Sequence, residues 1–180
     1  MRWVGFAICA LVGLTLQSAL GPRLAVGSVR PDWLLVIVVV FALFARMPDA
    51  AIGAWLLGAA AELMTLERHG LLSLSYLGAA LLVASCREWL FRYRASTQFL
   101  VTLVVSLLIR LTWVAYQHLL YSLGSGLLWD CLTQGVLGSL YTAAWAPLIV
   151  RGFLLIPSWL GLSRPRYSFA GVPRMERKRV

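Results

Sequence analysis

Residues 30–49 read RPDWLLVIVVVFALFARMPD, and this stretch decides the class of fold. Its centre, Trp33–Ala45, is an unbroken apolar run with a polar break on each side. Pro31 and Asp32 suit the first turn of a helix, because proline has no N–H to lose there and an acid favours the positive end of the helix dipole. A bilayer span needs about 20 residues, so this helix must recruit flanking residues to cross. We predict it at residues 31–46.

Five further apolar runs lie on either side of this stretch. The six predicted helices cover residues 3–20, 31–46, 50–66, 71–86, 97–121 and 135–156. The chain has 180 residues, of which 61% are hydrophobic and 13% charged, and its mean hydropathy of +0.82 is too high for a soluble domain. The sequence therefore predicts an all-α integral membrane protein. Its single domain, a six-transmembrane-helix bundle over residues 1–156, precedes a basic cytoplasmic tail over residues 157–180.

The first apolar run has a second interpretation. Met1-Arg2 followed by an apolar stretch also fits a secretory signal peptide, with Ser18-Ala19-Leu20 as the small-residue region before a cleavage site. Because five more apolar runs follow, we favour a first helix that is retained in the membrane.

Lysine and arginine positions predict the orientation, because these residues accumulate in cytoplasmic loops. With an even number of spans and a cytoplasmic N-terminus, eleven basic residues lie inside, namely Arg2, Arg46, Arg87, Arg92, Arg94, Arg164, Arg166, Arg174, Arg177, Lys178 and Arg179. Three lie outside, namely Arg23, Arg30 and Arg68. We therefore predict a multi-pass protein with both termini in the cytoplasm. The net charge of +9 lies in loops and tail, which favours anionic membrane lipids as partners and argues against nucleic acid.

The sequence offers little for catalysis. Cys9, Cys86 and Cys131 lack the CxxC or histidine spacing of a disulfide framework or a metal site. His69 and His118 are not at the depth of a mid-membrane serine, and no H-E-x-x-H, phosphate-binding loop or paired-carboxylate motif is present. We predict no enzymatic activity, no catalytic residues, no metal and no cofactor.

Glu62 and Arg110 are the two charges that do not fit a loop position. At about 1.5 Å of rise per residue, they lie about 18 Å and about 20 Å from the inner ends of the third and fifth helices. A buried ion at mid-membrane costs roughly 2.5–3.5 kcal/mol on insertion scales, and pairing is the usual remedy. We predict a Glu62–Arg110 ion pair inside the bundle. The pair either fixes helix packing or lines a cavity that binds a ligand or a partner.

Small residues recur at four-residue intervals on two of the predicted helices, which lets a neighbouring helix come close. These helix-packing faces consist of Ala50, Ala54 and Gly58 on the third helix and Gly135, Ser139 and Ala143 on the sixth. Packing within the bundle is our preferred interpretation, and a partner's transmembrane helix is the alternative. Possible partner or lipid contacts are Asp32, Asp130 and Arg151. Arg151 is near enough to the cytoplasmic end of its helix to snorkel to the headgroups.

Several short motifs carry a family resemblance. They are Arg30-Pro31-Asp32, the segment from Gly58 through Glu62, Gly70-Leu71-Leu72-Ser73-Leu74, and Tyr141-Thr142-Ala143-Ala144-Trp145-Ala146-Pro147. On these residues the chain resembles MreD, the rod shape-determining membrane proteins of bacteria, over about residues 28–156. It departs from the family's pattern at Glu62, where the family usually has aspartate. It also has Glu67-Arg68-His69 in place of a small Gly/Ser-rich turn, and a longer basic tail. It looks like a divergent member.

The resemblance implies a non-enzymatic role in the bacterial cytoplasmic (inner) membrane, within the assembly that couples MreB filaments to peptidoglycan synthesis during cell elongation. The implied partners are an MreC-like protein and, through it, MreB filaments, a RodA-type glycosyltransferase and a class B penicillin-binding protein. The resemblance also implies a bundle similar to the substrate-binding subunits of energy-coupling-factor transporters. That similarity supplies an alternative function, a small-molecule-binding membrane subunit of a transporter.

Overall fold

The computed structural model describes residues 3–25, 27, 29–65, 70–86, 95–121 and 125–155. Six α-helices make up this part of the chain. They are α1 (Trp3–Leu20), α2 (Trp33–Phe44), α3 (Met47–Thr65), α4 (Leu71–Cys86), α5 (Ala95–Tyr121) and α6 (Ser125–Leu155). The predicted tail over residues 157–180 and the loop arginines Arg87, Arg92 and Arg94 lie outside the described residues.

The helix bounds agree with the sequence-based ones except at the start of α6. The bounds of α1 and α4 coincide with the predicted ranges, and those of α2, α3 and α5 differ by up to three residues. We had predicted α6 from residue 135, but it begins at Ser125. The Gly-rich beginning of this segment suggested a loop. From Leu127 to Gln134, however, the chain has no glycine or proline that would end a helix.

The α2 helix is the centre of the bundle. It packs against all five other helices, and every one of its residues is buried. A helix that is apolar on all sides has no face to give to water, so it is stable only when protein or lipid surrounds it completely. Here protein does so, with the α3–α4 hairpin on one part of α2 and the α5–α6 hairpin on another.

Small side chains allow both hairpins to pack closely. A Cβ added to Gly58 of α3 would come within 2.5 Å of the Ser73 Cα atom of α4, so the two backbones nearly touch there. Between α5 and α6, the Ser106 hydroxyl donates to the Ser139 hydroxyl oxygen over 3.2 Å. The remaining small residues singled out in the sequence are all buried or at these helix contacts, namely Ala50, Ala54, Gly135 and Ala143.

The helices differ widely in length. At about 1.5 Å per residue, α2 is about 18 Å long, whereas α6 is about 46 Å long. By length and apolar composition, three helices are able to cross a membrane, over Trp3–Leu20, Ala95–Leu120 and Gly126–Phe153. The α2 and α4 helices are shorter apolar helices. The α2 helix begins beside Thr142, which lies near the middle of α6. The first half of α6 therefore extends past the start of α2 and leaves space there.

Candidate functional site

Asp32 lies at the centre of a polar cluster at the start of α2. Its Oδ1 atom accepts a hydrogen bond from the Leu35 backbone N–H (3.1 Å), which caps the helix. Its Oδ2 atom accepts from the Tyr76 hydroxyl of α4 at 2.8 Å. The Asp32 backbone N–H donates to the Thr142 hydroxyl oxygen of α6 at 3.1 Å. One residue thus joins three helices in the interior of the bundle.

Two further hydrogen bonds join α1, and the connection that follows it, to neighbouring helices. The Trp33 backbone N–H donates to the Gln17 side-chain oxygen of α1 at 2.9 Å. The Tyr141 hydroxyl donates to the Leu24 carbonyl oxygen at 3.0 Å, which ties the α1–α2 connection to α6. The first N–H groups of a helix have no partner within the helix. In an apolar bundle, side chains must supply partners for these groups.

Asp32 was predicted as a possible partner or lipid contact, and the structure gives it partners inside the bundle. Tyr76 was not singled out in the sequence, whereas Thr142 belongs to one of the motifs of the family resemblance. Both are almost fully buried, with 1% and 0% of their surfaces exposed. A tyrosine in an apolar helix needs an acceptor for its hydroxyl group. The Asp32 carboxylate is the acceptor for Tyr76. The sequence alone does not link Asp32 to Tyr76, because it does not show which helices are neighbours.

Arg110 of α5 approaches the same cluster from the α6 side. Its Nη2 atom donates to the Arg30 carbonyl oxygen at 3.4 Å. The guanidinium lies over Gly138, where an added Cβ would be 2.6 Å from the Arg110 Cζ atom. Gly138 therefore leaves the space that the arginine head group occupies.

A cavity of about 320 Å³ opens beside this cluster. Polar side chains in its lining are Asp32, Ser106, Arg110 and Gln134, and apolar ones include Ile109 and Trp113. The cavity lies between α5 and α6 next to the first residues of α2 and α4. It thus uses the space that the short α2 helix leaves.

Glu62 caps a different helix. Its Oε1 atom accepts from the backbone N–H groups of Leu72 (2.7 Å) and Ser73 (3.1 Å), and its Oε2 atom accepts from the Ser73 hydroxyl (2.8 Å). These donors lie in the first turn of α4, where the positive end of the helix dipole favours a carboxylate.

The predicted Glu62–Arg110 pair therefore receives different partners in the structure. The rise per residue predicts the same height for both residues. In the structure, α3 packs chiefly on α4, whereas α5 packs chiefly on α6. The ion pair stays a prediction, and a charge swap distinguishes it from the capping contacts described above.

The other predicted contacts lie on the surface. Asp130 and Arg151 are exposed, and their contact with a partner or lipid stays a prediction. Over the ranges that the structure covers, no group of three histidine, cysteine or acidic residues is arranged to hold a metal ion. The cluster at α2 consists of groups that hydrogen-bond to one another, which is an arrangement that fixes helix positions.

Comparison with known proteins gives one match. A family model described as rod shape-determining protein MreD matches residues 1–123. This range contains α1 to α5 and with them Asp32, Glu62, Tyr76 and Arg110. It ends before α6, so the resemblance at Tyr141–Pro147 stays a prediction. No curated protein and no solved structure matches the chain, and the expected similarity to transporter substrate-binding subunits stays a prediction as well.

Proposed function

The chain belongs to the family of the rod shape-determining protein MreD, and on that premise we propose that it is a non-enzymatic scaffold of the bacterial cell-elongation assembly. In this role it binds an MreC-like protein. Through that protein it reaches MreB filaments and the RodA-type glycosyltransferase and class B penicillin-binding protein that build peptidoglycan. The observation that carries the proposal is the family match, which covers five of the six helices.

The geometry of the polar cluster supports a scaffolding role. Asp32 and Glu62 each cap a helix and also accept a hydrogen bond from a side chain of α4. Groups used in this way hold helices in fixed positions, because Glu62 would lose its donors on α4, and Asp32 would lose the Tyr76 hydroxyl, if the helices moved apart. A scaffold needs such a rigid interior, while its outer faces remain available for other proteins.

The same proposal includes the cytoplasmic (inner) membrane, six crossings and two cytoplasmic termini. The distribution of lysine and arginine supports this orientation, since eleven such residues fall on one side and three on the other. The start of α2, the start of α4 and the α5–α6 connection then face the extracytoplasmic side.

Cross-linking in the native membrane tests the proposal. The tagged full-length chain is cross-linked in cells of its host and purified, and the attached proteins are identified by mass spectrometry. We expect an MreC-like protein and peptidoglycan synthesis enzymes, both enriched over a tagged unrelated inner-membrane protein expressed at the same level. If neither class is enriched, the proposed scaffolding role is wrong.

The alternative, a transporter's small-molecule-binding subunit, is favoured by the cavity of about 320 Å³ with its four polar side chains. The same purification distinguishes the two functions. A transporter subunit would bring down a membrane coupling protein with its ATPases, and a bound small molecule would be found in the extract of the purified protein.

A further inference from the structure

We propose that the cavity at Arg110 and an apolar groove between α4 and α5 form one binding site for an anionic phospholipid. The phosphate group lies against the Arg110 guanidinium, and one acyl chain lies in the groove. The proposal of this site does not depend on the scaffolding role, because it is based on the charge and shape of the described helices.

The groove has the shape and surface that an acyl chain needs. It encloses about 430 Å³ between α4 and α5, and its lining is almost entirely apolar, with Leu74 and Leu82 on one side and Leu108 on the other. Gly78 lies in its floor, and an added Cβ there would meet no atom within 4 Å. The two helices thus leave an open channel that faces the membrane.

The groove lies next to the polar cavity. Ile109 of α5 lines both spaces, and the neighbouring residue, Arg110, lies in the cavity. An amphiphile is the class of molecule that fits a charged cavity joined to an apolar groove. A soluble anion would use the cavity and leave the groove to lipid.

Arg110 gives the cavity a cation with several N–H donors. Within the described part of the chain, the one hydrogen bond of Arg110 goes to the Arg30 carbonyl oxygen at 3.4 Å. The guanidinium has five N–H donors in a planar fork that matches phosphate oxygens. Asp32 also lines the cavity, and its carboxylate accepts hydrogen bonds from Leu35 and Tyr76, neither of which removes its negative charge. The attraction for phosphate therefore comes from the remaining N–H donors of the Arg110 guanidinium.

Arg110 lies in the half of the predicted span nearer the outer headgroups, toward which a long arginine side chain can snorkel. Arg110 follows Ala95 by about 22 Å along α5 at 1.5 Å per residue. In a hydrocarbon core of about 30 Å, it lies in the half that faces the far end of α5. From there the groove runs back along α4 toward Leu82, which is the direction an acyl chain takes from its headgroup.

Native mass spectrometry of the full-length protein in detergent tests the proposal with phosphatidylglycerol as the probe. We expect one retained lipid on the unmodified protein, and at least a fivefold smaller bound fraction for Arg110→Gln and for Gly78→Leu, which fills the groove. The matched control is Arg46→Gln, which removes an exposed arginine between α2 and α3, at the opposite end of α2 from the cavity, and leaves the bound fraction unchanged. Arg110→Lys retains a cation and part of the binding.

Two results would overturn the proposal. If Arg110→Gln retains phosphatidylglycerol as well as Arg46→Gln does, the phosphate does not use this arginine. If glycerol phosphate raises the Tm as much as the lipid does, and Gly78→Leu still retains the lipid, the cavity takes a soluble phosphate and the groove is not part of it. Gly78→Leu changes a position with open space around it, so it reports on binding even if Arg110→Gln fails to fold.

Discussion

At the scale of single residues, the start of α2 depends on side chains that accept hydrogen bonds from buried donors. Tyr76 shows this most clearly, because its hydroxyl donates to a carboxylate in a position with 1% of its surface exposed. Hydrogen bonds to charged groups contribute more to stability than those between neutral groups. The strength of this contact is therefore measurable against a neutral one in the same protein.

We expect Tyr76→Phe to lower the free energy of unfolding by about 1.5–3 kcal/mol, because the Asp32 carboxylate loses a donor. The matched control is Tyr141→Phe, which removes a hydrogen bond to the neutral Leu24 carbonyl. We expect this variant to lower the free energy of unfolding by about 0.5–1.5 kcal/mol. Reversible unfolding in mixed micelles measures both values. An equal or smaller loss for Tyr76→Phe would show that the contact with Asp32 is not the stronger of the two.

The charge swap Glu62→Arg with Arg110→Glu separates helix capping from ion pairing. If Glu62 serves as the cap of α4, the double variant is no more stable than either single variant, because an arginine at position 62 faces the positive end of α4. Thermal unfolding in detergent, followed by size-exclusion chromatography, compares the three proteins. Recovery of the Tm in the double variant would instead establish the predicted ion pair.

At the scale of helices, sequence patterns predict where elements lie better than which faces meet. The bounds of α1 and α4 follow from apolar runs that end at polar breaks. The start of α6 does not follow from the sequence pattern. The glycines in this segment suggested a loop, but the helix begins at Ser125, between two of them. Rise per residue predicts the height of Glu62 and Arg110, but their rotation about each helix axis depends on neighbours that a single sequence does not reveal.

The close approach of α3 and α4 gives a prediction at this scale. Gly58→Ala places a Cβ within 2.5 Å of the Ser73 Cα atom, so the helices must separate, and we expect a loss of about 1–3 kcal/mol in unfolding free energy. Gly78→Ala on α4 is the control, since its Cβ meets nothing within 4 Å. It should be neutral or stabilise by up to about 1 kcal/mol through helix propensity. Equal losses at both positions would contradict the close contact.

At the scale of the whole molecule, a short central helix sets the architecture. The α2 helix packs against all five other helices and begins near the middle of α6. This places Asp32, Tyr76 and Arg110 at one level inside the bundle, with a cavity beyond them. The sequence pattern predicted a membrane bundle and its family, whereas the cavity arises from the difference in helix lengths and was visible only in the structure.

Single cysteines introduced in a cysteine-free background test the proposed six-crossing topology. We expect Gly27→Cys and Ser125→Cys to react with a membrane-impermeant maleimide added to intact spheroplasts, and Arg94→Cys to react only after lysis. With a cytoplasmic N-terminus and six crossings, the α1–α2 and α5–α6 connections lie outside, and the α4–α5 connection lies inside. Reaction of Arg94→Cys in intact spheroplasts would contradict the proposed orientation.

Cell shape after depletion tests the central claim most directly. The chromosomal gene is placed under a repressible promoter in its host, and cell length and width are measured by microscopy as the protein is diluted by growth. Membership in this family predicts that cells lose their elongated shape and widen, and that the full-length chain supplied from a plasmid restores their dimensions. Unchanged length and width after the protein has disappeared would contradict a role in determining shape.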